Sequence, residues 1–299
     1  MAFVNSTSYD GQNRTDWFAK TLYGAKSINY FSPLLNVNGK VKIPQLTVGS
    51  ILQAAACDWN ASGNVTLAEK TIDPCDVMVN VTLCVDDLTA HFESEYLRGN
   101  AQGQTIPADL NAFILDQMGK KIANDLEVGI WAGFAGCSGL TTLLSGDSAV
   151  VDVTATTGTV NSSTIITELN RIYDQIDPLI VTDTENLKMF VPIAWIGYYK
   201  QAVAAASAEA YYTKDAPLTF LGIELVGTPG LTGKKAVCTT KDNLWFATNL
   251  MSDWNYLKVL NMSELDGSDN VRIIMKMNAG VQYASIEDVV TYGIVNSAN

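Results

Sequence analysis

The stretch P-A-D-L-N-A-F-I-L-D-Q-M-G-K-K-I-A-N-D-L-E-V-G-I-W-A-G, residues 107–133, decides the fold. Pro107 suits a first helical position, where its missing N–H has no partner to lose, and Asp109 places negative charge in the first turn. Leu110, Phe113, Ile114, Met118, Ile122, Leu126 and Ile130 recur at three- and four-residue spacing, which is one face of an α-helix. Gly133 and Gly136 end the pattern. About 25 residues at about 1.5 Å each give a rod of roughly 37 Å, about twice the usual helix length. A helix of this length reads as a structural spine.

Working back toward the N-terminus, the chain reads as β-structure. Lys40 to Leu46 alternates polar and apolar, and Pro44 places that strand at an edge because it has no N–H to donate. Asp58 to Asn64 (D-W-N-A-S-G-N) is turn chemistry, and Val65 to Thr71 and Val77 to Val85 read as further strands. Residues 40–87 are thus expected to form a long β-ribbon with little core of its own. A two-stranded ribbon is marginal alone in water, so its apolar side needs a partner surface. Before it, residues 1–39 read as a polar arm with one amphipathic helix from Asp16 to about Lys26, carrying Trp17, Leu22 and Tyr23.

Working forward from the spine, residues 137–162 read as a loop with short strands. Ser163 to Asp177 has helical spacing, with Ile165, Ile166, Leu169, Ile172 and Ile176 on one face, Ser163 at its start and Pro178 as its stop. Lys188 to Ile193 reads as a buried strand and Ala194 to about Tyr211 as an Ala-rich helix. Thr219 to Gly227 and Ala236 to Thr239 read as strands around a Pro229-Gly230 turn, and Asn243 to Leu250 and Asn255 to Leu260 continue the β pattern. Residues 161–265 are therefore expected to be a compact α/β lobe. Asn270 to Gln282 and Glu287 to Tyr292 read as closing strands that return to the spine helix.

Composition limits the functional classes. Among 299 residues, 19 Lys and Arg face 31 Asp and Glu, a formal charge of −12, which argues against a protein that neutralises phosphates. Charged residues make up 17%, below the usual quarter or so of soluble domains, while 47% are hydrophobic. A folded chain this poor in charge is expected to bury surface between subunits. The first residues show no basic or apolar signal segment, and no apolar run is long enough to span a membrane. Cys57, Cys75, Cys84, Cys137 and Cys238 are odd in number and lack C-x-x-C spacing, so reduced thiols in a cytoplasm are expected.

No catalytic constellation emerges. Gly136-Cys137-Ser138-Gly139 is not a nucleophile elbow, and Gly233-Lys234-Lys235 lacks the spacing and hydroxyl of a phosphate loop. His91 is the only histidine, which leaves no His-based metal cluster, and beside Phe92 it reads as a boundary residue rather than a base. Asp86, Asp87, Glu93 and Glu95 are the densest carboxylates, but nearness in sequence does not set the cleft separation a glycosidase pair needs. A solvated stretch between the ribbon and the spine, or an ion-pair partner for Arg98, is the preferred reading. Tyr198-Tyr199, Tyr211-Tyr212 and Trp245-Phe246 have no basic neighbours and read as packing residues rather than base-stacking platforms. Cys137 has no visible base to make it a nucleophile. No metal and no cofactor are expected.

The order of parts, arm, ribbon, spine helix, compact lobe and closing strands, resembles the Hong Kong 97-like major capsid proteins of tailed bacteriophages. Lys42-Ile43-Pro44, Gly63 to Leu67, and Val79 to Cys84 before Asp86-Asp87-Leu88 resemble that family's extended loop and return strand. Ile106-Pro107-Ala108 and Ile130 to Gly133 resemble the bounds of its spine helix. Leu221 to Val226, Pro229-Gly230 and Asn243 to Leu250 resemble its apical lobe, and Gly280 to Ala284 with Val289 to Gly293 its closing segment.

The resemblance implies an α+β fold with an N-terminal arm (1–39), an extended loop (40–87), a peripheral domain (88–160 and 266–299, spine helix about 107–131) and an axial domain (161–265). It implies hexamers and pentamers of the chain itself, closed into an icosahedral shell around double-stranded DNA that is held without sequence-specific binding. The expected site is the virion capsid, made in a bacterial host's cytoplasm, with no catalytic role and no membrane. Arm and ribbon-tip residues Trp17, Trp59, Asn60, Gly63 and Asn64 are the expected inter-subunit contacts. Some members cross-link subunits through a loop lysine, an asparagine and a glutamate base. Lys40, Lys42 and Lys70 lie near the ribbon's base or middle and the tip has none, so no cross-linking is expected. An arm beginning at Met1 leaves no room for a scaffolding prodomain, so a separate scaffolding protein and an uncleaved subunit are expected, with a portal at one vertex and decoration proteins as further partners. Two alternatives remain: an encapsulin-type compartment of the same fold, and an acidic hydrolase using Asp86, Asp87 and Glu93.

Overall fold

The computed structural model describes residues 25–37, 39–49, 51–55, 57, 63–84, 108–134, 136–156, 158–206, 218–248, 258–262, 265–268 and 270–295. A 3-10 turn at Lys26–Tyr30 leads into β1 (Ser32–Leu35). Strands β2 (Val41–Val48) and β3 (Val65–Ile72) pair antiparallel as the ribbon, from Val41 opposite Ile72 to Val48 opposite Val65. β4 (Cys75–Cys84) does not continue the ribbon. The Asp73-Pro74 corner turns it away, and it joins a different sheet. The ribbon is therefore shorter at its C-terminal side than the expected 40–87, because the alternation of Val77 to Val85 reports a half-buried strand and not its partner.

The spine is α1 (Ala108–Ala132), within a residue or so of its expected bounds. It stops where Gly133 takes φ +107°, a conformation that favours glycine, and β5 (Gly133–Phe134) and β6 (Cys137–Ser138) reverse the chain. A short helix, α2 (Leu140–Ser145), follows in the stretch expected to be loop, then β7 (Val151–Val153). Helix α3 (Ile165–Tyr173) buries Ile165, Leu169 and Ile172 but leaves Ile166 exposed. Its entry turn is held by Asn161 Oδ1, which accepts from the Ser163 and Thr164 N–H groups, so Ser163 is not the cap. Pro178 opens α4 (Pro178–Val181), capped by Asp177, rather than simply ending α3.

The lobe continues through β8 (Leu187–Pro192), α5 (Ile193–Ala206), β9 (Thr219–Phe220), β10 (Ile223–Thr228) and β11 (Ala236–Thr240). Beyond it come β12 (Leu244–Thr248), β13 (Lys258–Asn261), β14 (Asn270–Tyr283) and β15 (Val289–Tyr292). A six-stranded sheet runs β7-β15-β11-β8-β10-β9; a five-stranded sheet runs β1-β12-β14-β13, with β4 on the other side of β14.

These pairings cross the expected domain boundaries. β12 and β13, assigned to 161–265, pair with β14 under the spine. β15, expected to return to the spine, pairs with β11 in the lobe. Sequence proximity groups neighbouring strands, but ladders are set by which apolar faces share a core. One core packs Ile122, Leu126, Ile130 and Trp131 of α1 against Ile273, Met275 and Met277 of β14, and a second fills the lobe between its sheet and α3 and α5. The expectation of reduced thiols is also corrected: Cys75 and Cys137 are joined in a disulfide, their Cα atoms 6.1 Å apart. The sequence offers no cue because the two are 62 residues apart and meet only through the fold.

Candidate functional site

The ribbon has two chemically different faces. Paired residues share a face, so Val41, Ile72, Ile43, Lys70, Gln45 and Ala68 lie on one side. At the root, Ile43 and Ile72 are buried with Val37 and Ala247, and Trp245 packs beside them. Polar contacts tie the ribbon down as well: Gln282 Nε2 donates to the Thr71 carbonyl at 2.9 Å beside the root, and farther out Gln45 Nε2 donates to Ser285 Oγ at 3.3 Å.

Lys70 is the strongest tie. Its ammonium donates to Asp147 Oδ2 at 2.7 Å, and Tyr283 Oη donates to the same oxygen at 2.7 Å. Burial alone raises the Asp147 carboxyl, but hydrogen bonds from Lys70, Tyr283 and the Ala149 N–H outweigh it and hold the group below its ordinary value. Burial likewise lowers the Lys70 ammonium, and its bonds to Asp147 and Tyr283 more than reverse that. Lys70 thus ties the ribbon to the loop that carries Asp147.

The opposite face is apolar and uncovered. Leu46 opposite Leu67 and Val48 opposite Val65 form a four-residue patch, exposed at 63%, 73%, 50% and 61%. Toward the root, Lys42 pairs with Glu69. Ile51 and Leu52 extend the exposed apolar surface beyond the strands. The sequence carries a signal for this patch that the alternation reading passed over. Apolar residues switch from odd positions (41, 43) to even ones (46, 48) along β2, and from odd (65, 67) to even (72) along β3, so midway along each strand, going out from the root, the apolar residues pass from the anchored face to the bare one.

A second feature joins arm, spine and lobe. The Glu127 carboxylate, buried on α1, accepts from the Ser27 N–H at 2.9 Å and from the Ser27 hydroxyl, whose oxygen in turn accepts from Trp131 Nε1 at 3.0 Å. Tyr30 Oη donates to Glu224 Oε1 at 2.9 Å, and Lys188 pairs with the other oxygen of Glu224 at 2.8 Å. Burial and that bond push the Tyr30 phenol up to about 12. Phe31, Trp131 and Phe190 pack together at ring distances of 5.1 to 6.4 Å.

Of the expected contact residues, Gly63 and Asn64 close the ribbon's described end. Gly63 has φ +95°, the Asn64 carbonyl accepts from Gly49 N–H at 2.8 Å, and Asn64 Nδ2 donates to Thr66 Oγ1 at 3.3 Å. Trp17, Trp59 and Asn60 lie outside the described residues, as do His91, Asp86, Asp87, Glu93, Glu95 and Arg98. Cys137 is tied up in the disulfide. Phe246 is core, and Tyr199 packs on Phe220 while its hydroxyl donates to the Thr219 carbonyl. Among the described residues there is no cluster of three or more metal-ligating side chains, and no helix is long and apolar enough to cross a membrane.

The segment around Ser27 and Tyr30 held on spine and lobe, a ribbon with one bare apolar face, a long spine and a lobe make up the Hong Kong 97-like fold of phage capsid proteins. No family model and no curated protein matches the sequence. Solved structures do. A chain of the satellite phage P4 procapsid, a particle that includes the size determination (Sid) protein, matches with TM-score 0.57 and 11% identity over 97% of this chain and 93% of that one. The capsid of a native GTA particle gives TM-score 0.59 and 10% identity over 90% and 89%. A chain from Mycobacterium phage Adephagia gives TM-score 0.57 and 13% identity over 90% and 89%.

Proposed function

We propose that this chain is a major capsid protein: copies assemble through hexamers and pentamers into an icosahedral shell enclosing the double-stranded DNA of a tailed phage. The observation that carries the reading is the likeness to phage and GTA capsids over about nine-tenths of the chain. The ribbon supports it physically. Its anchored face fixes its direction, and its bare face presents Leu46, Leu67, Val48 and Val65 to a neighbouring copy. A contact between two different patches on like subunits is heterologous, and such contacts close rings when their rotation permits.

In this reading the role is structural and not enzymatic, and the location is the virion after synthesis in a bacterial cytoplasm. Trp17 of the arm and Trp59, Asn60, Gly63 and Asn64 at the ribbon's end contact neighbouring subunits. The parts proposed are an arm (1–39), an extended loop (40–87), a peripheral domain (88–160 with 266–299) and an axial domain (161–265), with sheets shared across their borders. A net charge of −12 suits a wall past which packed DNA slides without sticking. A separate scaffolding protein, a portal at one vertex and decoration proteins complete the partner set.

Sedimentation of the purified chain, with the nucleic-acid content of any particle, tests the proposal. Particles of megadalton mass holding DNA when taken from phage lysates support it. A stable 32.3 kDa monomer overturns it, and closed particles holding protein cargo without DNA replace it with a compartment of the same fold.

A further inference from the structure

We propose that Cys75 and Cys137 form a thiol–disulfide switch that clamps the root of the ribbon to the end of the spine helix, closed by exchange with a small-molecule disulfide and opened by a small thiol. Two rigid corners bring the cysteines together. At one, the chain leaves β3 at Ile72 and crosses β14, with Pro74 so close to Gly280 that a Cβ there would lie 2.8 Å from the Pro74 Cα. Cys75 then enters β4 opposite Ala279. At the other, Gly133 reverses the chain as α1 ends, and Cys137 pairs with Phe134 across the two-strand hairpin. Each corner is held by its own backbone pairing, Cys75 in the β4–β14 ladder and Cys137 in the β5–β6 hairpin. Both residues are half-buried, within reach of a small reagent.

What the bond holds is visible beside it. β4 is an edge strand whose apolar side chains face α1 without closing on it. An open groove of about 330 Å³ remains between them, walled by Val77 and Val79 of β4, Met118 and Ile122 of α1, and Phe134 and Met277. The disulfide lies at the groove end marked by Val77 and Phe134, two and three residues from Cys75 and Cys137. It is the covalent tie between groove walls that packing leaves partly apart. Cys238 is fully buried, which pushes its thiol up to about 12, and Cys57, between β2 and β3, and Cys84, at the far end of β4, are placed away from Cys75 and Cys137, so neither completes an internal bond with them.

The chemistry balances with glutathione disulfide as oxidant. One cysteine thiolate attacks a sulfur of glutathione disulfide and expels one glutathione thiolate, leaving a mixed disulfide. The second cysteine thiolate then displaces the second glutathione. Two protein thiols are oxidised, one glutathione disulfide is reduced to two thiols, and the two protons leaving the cysteines end on glutathione. Reduced glutathione runs the steps backward. The switch operates within one subunit and does not depend on the capsid reading.

The test equilibrates the full-length chain in glutathione buffers from fully reducing to fully oxidising, then quenches in acid, alkylates after denaturation and weighs the intact protein. Five alkylated thiols are expected at the reducing end; at the oxidising end three thiols are expected to be alkylated or to carry glutathione, which its added mass distinguishes, and a peptide links Cys75 to Cys137. Native-state hydrogen exchange reads the clamp. Reduction should speed amide exchange in 75–81 and 136–138 by about tenfold or more, with β8, β10 and β11 unchanged. The double variant Cys75→Ser with Cys137→Ser should exchange like the reduced protein in both buffers; if it does not fold, the two redox states of the natural chain decide. Five adducts across the whole range overturn the proposal, as does a bond whose reduction leaves exchange in β4 unchanged.

Discussion

Replacing Leu46 and Leu67 together by serine should leave the subunit folded and cripple its association. The two side chains sit directly opposite each other on the ribbon's bare face, 63% and 73% exposed. Fully burying a leucine is worth about 1.5–3 kcal/mol. Covering the roughly two-thirds of each that is bare therefore yields about 1–2 kcal/mol, or about 3 kcal/mol per ribbon contact for the pair. That is a loss of about 100-fold in each contact's association constant. The folded subunit, where neither side chain is packed, should change by no more than about 0.5 kcal/mol. Sedimentation velocity across a concentration series measures the first, and urea unfolding of the dissociated subunit the second. Association at natural concentrations would refute the reasoning, and so would a fall of several kcal/mol in subunit stability, since that would place the leucines in the subunit's own core.

Three further outcomes follow from other parts of the molecule. Asp147 is held below its ordinary value in the folded state, so its contribution is full above the unfolded value near 4 and is lost as pH falls through the folded one. Asp147→Asn should therefore flatten the acid limb of a stability–pH profile below about pH 4 and cost about 1–2 kcal/mol at neutral pH; an unchanged acid limb would contradict this. Ser27→Ala removes both a donor to the buried Glu127 and the acceptor of Trp131 Nε1, and should cost about 1–3 kcal/mol in urea unfolding, with a blue or red shift in Trp131 fluorescence. Leu221, at φ +49° before Gly222 in the tight turn from β9 to β10, is 56% exposed, and Leu221→Asn should stabilise the subunit by about 0.5–1 kcal/mol, a gain read from its unfolding midpoint.

What the sequence revealed follows from which interactions are local. The spine helix was legible almost to the residue because Pro107, the three/four apolar spacing and Gly133 are all readable within one segment. Val65 to Thr71 and Lys188 to Ile193 were legible as strands for the same reason. Partnership was not. The alternation in Val77 to Val85 is identical whether that strand lies in the ribbon or beside β14, and only the Pro74 corner against Gly280 distinguishes them. The exchange of β12 and β15 between lobe and spine sheets, and the Cys75–Cys137 bond, depend on contacts far apart in sequence. The helix at Leu140–Ser145 was missed because its two threonines and terminal serine favour turns, while Leu140 and Leu144 bury it against the spine. The ribbon's bare patch was written in the parity switch of its apolar residues.

The central claim is that copies of this chain complete one another. Electron cryomicroscopy of the assembled material tests it most directly. A closed icosahedral shell is expected, in which Leu46, Leu67, Val48 and Val65 of each ribbon are covered by an adjacent subunit; a reconstruction showing isolated subunits, or a closed particle with those four side chains facing solvent, would overturn the claim.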